Sequence, residues 1–166
     1  MERMKLLTVL DELKTPVTLN ELTGKAALSR GKTLGLLQKL VREDYVDREG
    51  KCYLIAPKGQ IALRELSPIH SGEEFYFYLD LGQYTGFSAK SLDEFLERLR
   101  TIDVRSLEFH MSRGDFEAWI RDIFEDQDLV REFVKLKETG VKGEDLRMKL
   151  SEVVDKRYRE FCKLLV

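Results

Sequence analysis

The residues from Lys25 to Arg42 combine an apolar helical face with positive charge that no acidic residue offsets. Spacing of i, i+3, i+6 and i+7 puts four apolar residues on one side of a helix: Leu34, Leu37, Leu40 and Val41. The segment holds five basic residues. At about 100° per residue, three of them project from the opposite side: Lys32, Lys39 and Arg42. Gly31 and Gly35 lie between these. Such a helix packs by its leucine face and leaves a basic surface that could lie in a DNA groove.

Composition excludes several classes of protein. The chain of 166 residues is 43% hydrophobic and 35% charged, which is typical of one soluble domain or two small ones. No apolar run approaches the roughly 20 residues that span a bilayer. Cys52 and Cys162 are isolated from each other, so we expect no disulfide framework and a reducing, cytoplasmic location. The scattered His and Cys residues predict no metal site, and no motif predicts a cofactor.

Charge divides the chain into two halves of opposite sign. Residues 1–68 contain 12 Lys/Arg and nine Asp/Glu, whereas residues 69–166 contain 16 and 21. A polyanion would therefore bind the first half, and the second half would repel it.

The first half predicts four helices and a hairpin. Apolar spacing predicts a helix over residues 2–13, and Thr18 with Glu21 forms a capping box for a short second helix. Ser29 is placed to cap the basic helix. Two β-rich runs flank the turn at residues 49–50 and predict a hairpin over residues 45–55. Pro57 then marks the start of a fourth helix, which continues to Leu66.

Residues 1–66 resemble the winged-helix DNA-binding domains of prokaryotic transcription regulators. The run from Leu28 to Val46 is similar to the recognition helix of that family, which leads directly into the first wing strand. The run from Tyr53 to Leu63 is similar to the second wing strand and the helix start that follows it.

The resemblance implies that the 29–42 helix enters the major groove of duplex DNA and that the wing approaches the flanking backbone. It assigns DNA contact to nine residues: Ser29, Arg30, Lys32, Thr33, Gln38, Lys39, Arg42, Arg48 and Lys51. The basic side chains would mainly neutralise phosphates, whereas Gln38 could read a base edge, most naturally adenine.

Two other readings of the first half stay open. The basic face could simply be solvated, and winged helices also serve as protein-interaction modules. The wing favours a protein-interaction module, because the negative charges of Asp47 and Glu49 offset the positive charges of Arg48 and Lys51. The alternative to a regulator is therefore an interaction adaptor that uses the winged helix as a scaffold without binding DNA.

The second half is expected to be helical. Ser91, Asp103, Asp115, and either Asp126 or Asp128 are candidate caps before apolar helical patterns, and a last helix runs from about Glu144 to the C-terminus. Residues 75–79 could form a strand or a helix, and residues 82–86 are expected to form a loop. Two further features are Gly82-x-x-Thr85-Gly86 and the block from Arg113 to Ile120. Through them, residues 75–160 resemble a mainly archaeal family of helical domains that has no established activity.

One cluster in the second half could carry chemistry or a ligand. His110 and Asp115 could form a base and its orienting carboxylate, but no nucleophile accompanies them. The favoured interpretation is structural, with no catalytic residue and no enzymatic activity. A small-molecule pocket is a further hypothesis, lined by Phe75, Tyr76, Tyr78, His110, Arg113 and Trp119.

The sequence thus predicts a mainly α protein in two parts. Residues 1–67 form a winged helix-turn-helix with a small β-hairpin, residues 68–74 a linker, and residues 75–166 a helical domain. The expected function is transcription regulation by a homodimer that binds duplex DNA. The second domain would supply dimerisation or would sense a small-molecule effector or a protein partner.

Overall fold

Helices dominate the chain, and five short strands form two small antiparallel sheets. The computed structural model describes all of residues 1–166. They divide into two units, one of Met1–Leu63 with Cys162–Val166 and one of Arg64–Phe161. The expected mainly α class is confirmed, and the predicted β-hairpin is part of a small antiparallel sheet.

The first unit alternates helices with the strands of a three-stranded sheet. Its elements are α1 (Glu2–Leu13), β1 (Val17–Thr18), α2 (Leu19–Ala26), α3 (Arg30–Arg42), β2 (Val46–Glu49), β3 (Cys52–Ile55) and most of α4 (Pro57–Glu65). The strand order is β1-β3-β2, with both pairings antiparallel. The two-residue strand β1 was not predicted, because two residues are too few to show a period.

Local capping signals define the helices of this unit as predicted. The Thr18 Oγ1 accepts a hydrogen bond from the Glu21 N–H, and Glu21 Oε2 accepts one from the Thr18 N–H at 2.8 Å. Ser29 Oγ accepts from the Lys32 N–H at the start of α3. These bonds satisfy backbone donors that a helix N-terminus leaves without partners, so both starts follow from the sequence.

Gly59 is required by packing where the hairpin meets α4. The carbonyl oxygen of Tyr45 accepts a hydrogen bond from the Ala56 N–H at 3.1 Å, which holds the start of β2 against the end of β3. A Cβ atom at residue 59 would stand 2.3 Å from that same oxygen. Only glycine therefore lets the first turn of α4 lie against this carbonyl.

The second unit places one hairpin beside a group of helices. Its elements are β4 (Phe75–Tyr78), β5 (Tyr84–Ala89), α5 (Leu92–Thr101), α6 (Val104–Arg113), α7 (Asp115–Trp119), a π-helical turn (Ile120–Phe124), α8 (Gln127–Glu138) and α9 (Gly143–Cys162). An aromatic cluster lies in its core. The centroid of the Phe75 ring is 4.8 Å from that of Phe77 and 5.1 Å from that of Phe116. The alternate residue Tyr76 is exposed, because successive side chains of a strand point to opposite faces.

Three expectations about the second unit need correction. The unit is not wholly helical, because it contains the β4–β5 hairpin. Residues 84–86, expected in a loop, are the first residues of β5. Gly86, at a positive φ of 85°, hid the strand pattern of β5. Asp115 does not cap α7: the capping position belongs to Gly114, and the Asp115 carboxylate contacts His110 instead.

The ends of the predicted domains also differ from the two units. The division falls between Leu63 and Arg64, within the continuous helix α4. The predicted linker 68–74 is bonded to the second unit: the Ile69 N–H donates to the Lys90 carbonyl, and Trp119 Nε1 donates to the Glu73 carbonyl at 2.8 Å. Residues 162–166 belong to the first unit, where Leu164 is fully buried.

Candidate functional site

The helix α3 presents one buried and one exposed face. Thr33, Leu37 and Leu40 are fully buried, and Leu34 and Val41 are partly so. Gly31, Gln38 and Arg42 follow one another along the exposed side, at intervals of seven and four residues that keep them on one face. The exposed face therefore carries polar groups and glycine along its whole length.

Eight of the nine residues predicted to contact DNA are solvent-exposed: Ser29, Arg30, Lys32, Gln38, Lys39, Arg42, Arg48 and Lys51. Thr33 is the exception and was wrongly included. Its side chain is fully buried, and its Oγ1 donates to the Ser29 carbonyl at 3.0 Å. The sequence shows only that Thr33 is polar, which suggests an exposed side chain. Its hydroxyl instead hydrogen-bonds to the preceding turn of the helix, so the side chain can face inward.

The basic side chains of α3 differ in how far they are neutralised. Lys32 Nζ lies 2.6 Å from a carboxylate oxygen of Glu2, and Arg30 donates to the side chain of Asn20. Lys39 and Arg42 form no ion pair. The acid that follows the helix, Glu43, is paired with Arg3 at 2.9 Å, so it does not offset Arg42. Lys39 and Arg42 thus keep unpaired positive charges in the last turn of α3, and the exposed Asp44 follows two residues after Arg42.

The hairpin tip is electrically balanced. Asp47, Arg48, Glu49 and Lys51 are all exposed around Gly50. Arg48 Nε donates to the Gly50 carbonyl at 3.1 Å, and its guanidinium lies 5.9 Å from the Tyr53 ring. Arg48 is therefore folded against its own hairpin.

The glycines of α3 have no packing role inside the protein. A Cβ atom added at Gly31 or Gly35 would meet no atom within 4 Å. Glycine costs a helix interior about 0.5–1 kcal/mol relative to alanine. Nothing inside the fold offsets this cost, and the two positions leave the helix backbone accessible from outside.

His110 is a structural histidine of the second unit. Its Nε2 accepts a hydrogen bond from the Tyr78 N–H at 2.8 Å, and its Nδ1 lies 2.8 Å from Asp115 Oδ2. Because Nε2 accepts, it carries no proton, and Nδ1 is the nitrogen that donates to Asp115. Burial lowers the pKa of His110, and Asp115 opposes that shift only in part. The neutral ring has no free nitrogen, so it cannot accept a proton from a substrate.

A cavity of about 340 Å³ lies beside His110. Five of the six residues predicted for a ligand pocket line it: Phe75, Tyr76, Tyr78, His110 and Arg113. Trp119 does not, because its side chain is buried in the aromatic core and donates to Glu73. Five further residues complete the lining: Asp80, Leu81, Gly82, Phe109 and Asp115. Residues 80–82 were missed because the turn between β4 and β5 is visible only once the hairpin is known.

The charged groups of this cavity are unequally paired. Arg113 Nε donates to Asp115 Oδ2 at 3.1 Å, and the guanidinium lies 5.1 Å from the Phe109 ring. Asp80 forms no ion pair, and its Oδ1 accepts only from the Leu81 N–H, at 2.7 Å. With His110 neutral, the lining carries one negative charge that is not matched.

A buried acidic pair elsewhere in the second unit was missed in the sequence. Asp126 is fully buried and caps α8, and Arg157 donates to both of its oxygens at 2.6 and 2.9 Å. Glu65 is 1% exposed, and its oxygens accept no hydrogen bond. Burial and then the neighbouring Asp126 raise the pKa of Glu65 to about 10. A protonated Glu65 can donate to Asp126, whose pKa is lowered by that bond and by Arg157 although burial would raise it.

No family model, curated protein or solved structure matches the chain in the three comparisons with known proteins. The resemblances of residues 1–66 and 75–160 therefore stay predictions. None of the helices has the length and apolar character needed to cross a bilayer. No group of three or more His, Cys, Asp or Glu side chains is placed to hold a metal ion.

Proposed function

We propose that the first unit is a winged helix that binds duplex DNA through the exposed face of α3, and that the protein is a transcription regulator. The order of α1, β1, α2 and α3, followed by the β2–β3 hairpin, supports a winged helix with α3 as its recognition helix. The observation that carries the proposal is the pair Lys39 and Arg42, exposed and without acidic partners in the last turn of α3.

The charges of α3 suit a polyanion. Lys39 and Arg42 gain nothing from the fold, so their charges are available to neutralise phosphates. Lys32 could exchange Glu2 for a phosphate at little cost, because exposed ion pairs contribute about 0–1 kcal/mol. Gln38 stands between these residues on the exposed face and would contact a base edge.

Gly31 and Gly35 add a steric argument. Without side chains, these turns let the helix backbone approach a partner more closely than alanine would. Backbone proximity of this kind suits a helix lying deep in the major groove, whose width of about 12 Å just admits a helix.

A protein-interaction adaptor is the competing function, and the hairpin tip favours it. Two acids and two bases alternate there, and Arg48 is engaged by Gly50 and Tyr53. A wing of this kind would contribute little to phosphate binding. In the regulator reading, α3 therefore supplies most of the affinity, and a homodimer would supply a second recognition helix.

The test compares two charge-matched double variants in titrations of a mixed-sequence DNA duplex. Lys39→Gln/Arg42→Gln removes the unpaired charges of α3, whereas Lys142→Gln/Lys149→Gln removes two exposed charges from the second unit. Both change the net charge by the same amount. Fluorescence anisotropy of labelled duplex, measured between about 50 and 200 mM salt, gives the dependence of affinity on salt.

We expect the wild type and the Lys142/Lys149 variant to bind alike. The α3 variant should bind more weakly, and its log–log salt slope should be smaller by about 1.8, since each phosphate contact contributes about 0.9. Equal binding by all three proteins, or no binding by any, would reject DNA recognition by α3 and favour the adaptor.

A further inference from the structure

The cavity beside His110 has the size and lining of a small-molecule site. Its volume of about 340 Å³ falls within the usual range of roughly 300–1,000 Å³ for ligand pockets. Four aromatic side chains contribute to its walls: Phe75, Tyr76, Tyr78 and Phe109. An apolar or aromatic body of a ligand would therefore contact several rings in this open cavity.

Two apolar side chains of this cavity remain largely exposed to solvent. Leu81 is 73% exposed and Tyr76 is 44% exposed, although both line the cavity. The Tyr76 ring lies 5.8 Å from the Tyr84 ring, which is itself exposed, so the aromatic surface continues outward along the hairpin. A ligand that entered the cavity would cover part of this surface.

The charge of the lining selects among ligands. Arg113 is neutralised by Asp115 and is stacked against Phe109. His110 is neutral, because its Nε2 accepts from Tyr78. Asp80 alone keeps an unmatched charge, at the turn that closes one side of the cavity. The faces of aromatic rings are also negative, so the rings and the carboxylate attract the same sign of charge.

We propose that this cavity binds an organic cation, a molecule with an apolar or aromatic body and an ammonium group. The rings would surround the ammonium group and the body, and Asp80 would supply the opposite charge. An anion would have to displace Asp115 from Arg113 and approach Asp80, and a neutral molecule would gain nothing from Asp80. The inference rests on the cavity alone and does not depend on DNA binding.

Three phenols of similar size and different charge test this assignment. The probes are 4-hydroxyphenyltrimethylammonium, its neutral carbon isostere 4-tert-butylphenol, and the anion 4-hydroxybenzoate. Isothermal titration of the full chain gives each affinity, and amide chemical shifts show whether residues 75–82 and 109–115 are perturbed. We expect the cation to bind about 10-fold more tightly than the isostere, because only the cation gains from cation–π contact and from the charge of Asp80.

Matched variants locate the selectivity. Asp80→Asn keeps an acceptor for the Leu81 N–H and removes the charge, so the preference for the cation should fall by several-fold while the isostere binds as before. Tyr76→Leu keeps apolar bulk and removes a ring, and it should also weaken the cation selectively. Asp145→Asn, an exposed acid outside the lining, should change nothing.

Three outcomes would overturn the proposal. The first is equal affinity for the cation and its isostere, which would make the site merely apolar. The second is preferred binding of the anion that is lost in Arg113→Gln. The third is an absence of shifts at the cavity residues for all three probes.

Discussion

Replacement of Glu65 by glutamine should make the protein more stable, by an amount that grows with pH. Glu65 is 1% exposed beside the fully buried Asp126. Glutamine has nearly the same shape as a protonated glutamate and donates a hydrogen bond, so it can take the place of that form. The wild-type side chain must either ionise in a buried place or keep its proton above the pKa of a free carboxyl group, and both cost free energy. The substitution removes only this cost.

The magnitude follows from proton linkage. The pKa of Glu65 is raised from an ordinary value of 4.5 to about 10 in the folded protein. A raised folded-state pKa gives stability that is fully present below pH 4.5 and is lost as pH rises toward 10. Within that window the wild type loses about 1.4 kcal/mol per pH unit from this group. The stability difference between Glu65→Gln and wild type should thus grow by about 3 kcal/mol from pH 6 to pH 8.

Urea unfolding at a series of pH values measures this difference. Trp119 is the single tryptophan and lies in the same unit as Glu65, so its fluorescence reports the relevant transition. Other titrating groups contribute equally to both proteins and cancel. Glu138→Gln, at an exposed position on α8, controls for the general loss of a carboxylate. A difference that stays constant from pH 6 to pH 8 would refute the buried, protonated state of Glu65.

Three further predictions concern the burial of Leu164, the glycines of the first unit and the state of His110. Leu164→Ala should destabilise the first unit by about 2–5 kcal/mol, whereas Leu165→Ala should change its stability little. Hydrogen exchange of the α1 amides measures both effects, and equal effects would contradict the burial of Leu164. Gly35→Ala should raise stability by about 0.5–1 kcal/mol in thermal unfolding and weaken DNA binding, whereas Gly59→Ala should be strongly destabilising because its Cβ meets a carbonyl. The His110 ring should stay neutral until the pH is below its ordinary pKa of 6.5, with its proton on Nδ1. The ¹⁵N chemical shifts of the ring test both points: titration at or above pH 6.5 would contradict the lowered pKa, and a proton on Nε2 would contradict the tautomer.

Much of the first unit could be predicted because its signals are local. The capping box of Thr18 and Glu21 lies within four residues, and the apolar face of α3 follows a single helical period. The hairpin is marked by a glycine turn between two β-rich runs. Each of these features needs only neighbouring residues to be recognised, and each is present in the structure at the predicted place.

The second unit was less predictable because its key contacts join distant segments. Residues 75–79 could be either strand or helix until their pairing with residues 84–89 is known. The lining of the cavity depends on that hairpin meeting α6, which the sequence does not indicate. Trp119 was expected in the cavity for its aromatic character, but packing placed it in the core.

The sequence by itself determined that a helix near residues 30–42 has a leucine face and a basic face, because both follow from helical spacing. Only the tertiary structure decided which polar groups of the chain remain exposed and unpaired, and so able to contact a ligand or partner. Thr33 lies inside, the second nitrogen of His110 is occupied by a backbone amide 32 residues away, and Glu65 meets Asp126 out of water. Exposure and protonation depend on neighbours in space, and those neighbours are far apart in the chain. Lys39 and Arg42 stay unpaired because the nearest acid in the chain, Glu43, is held by Arg3.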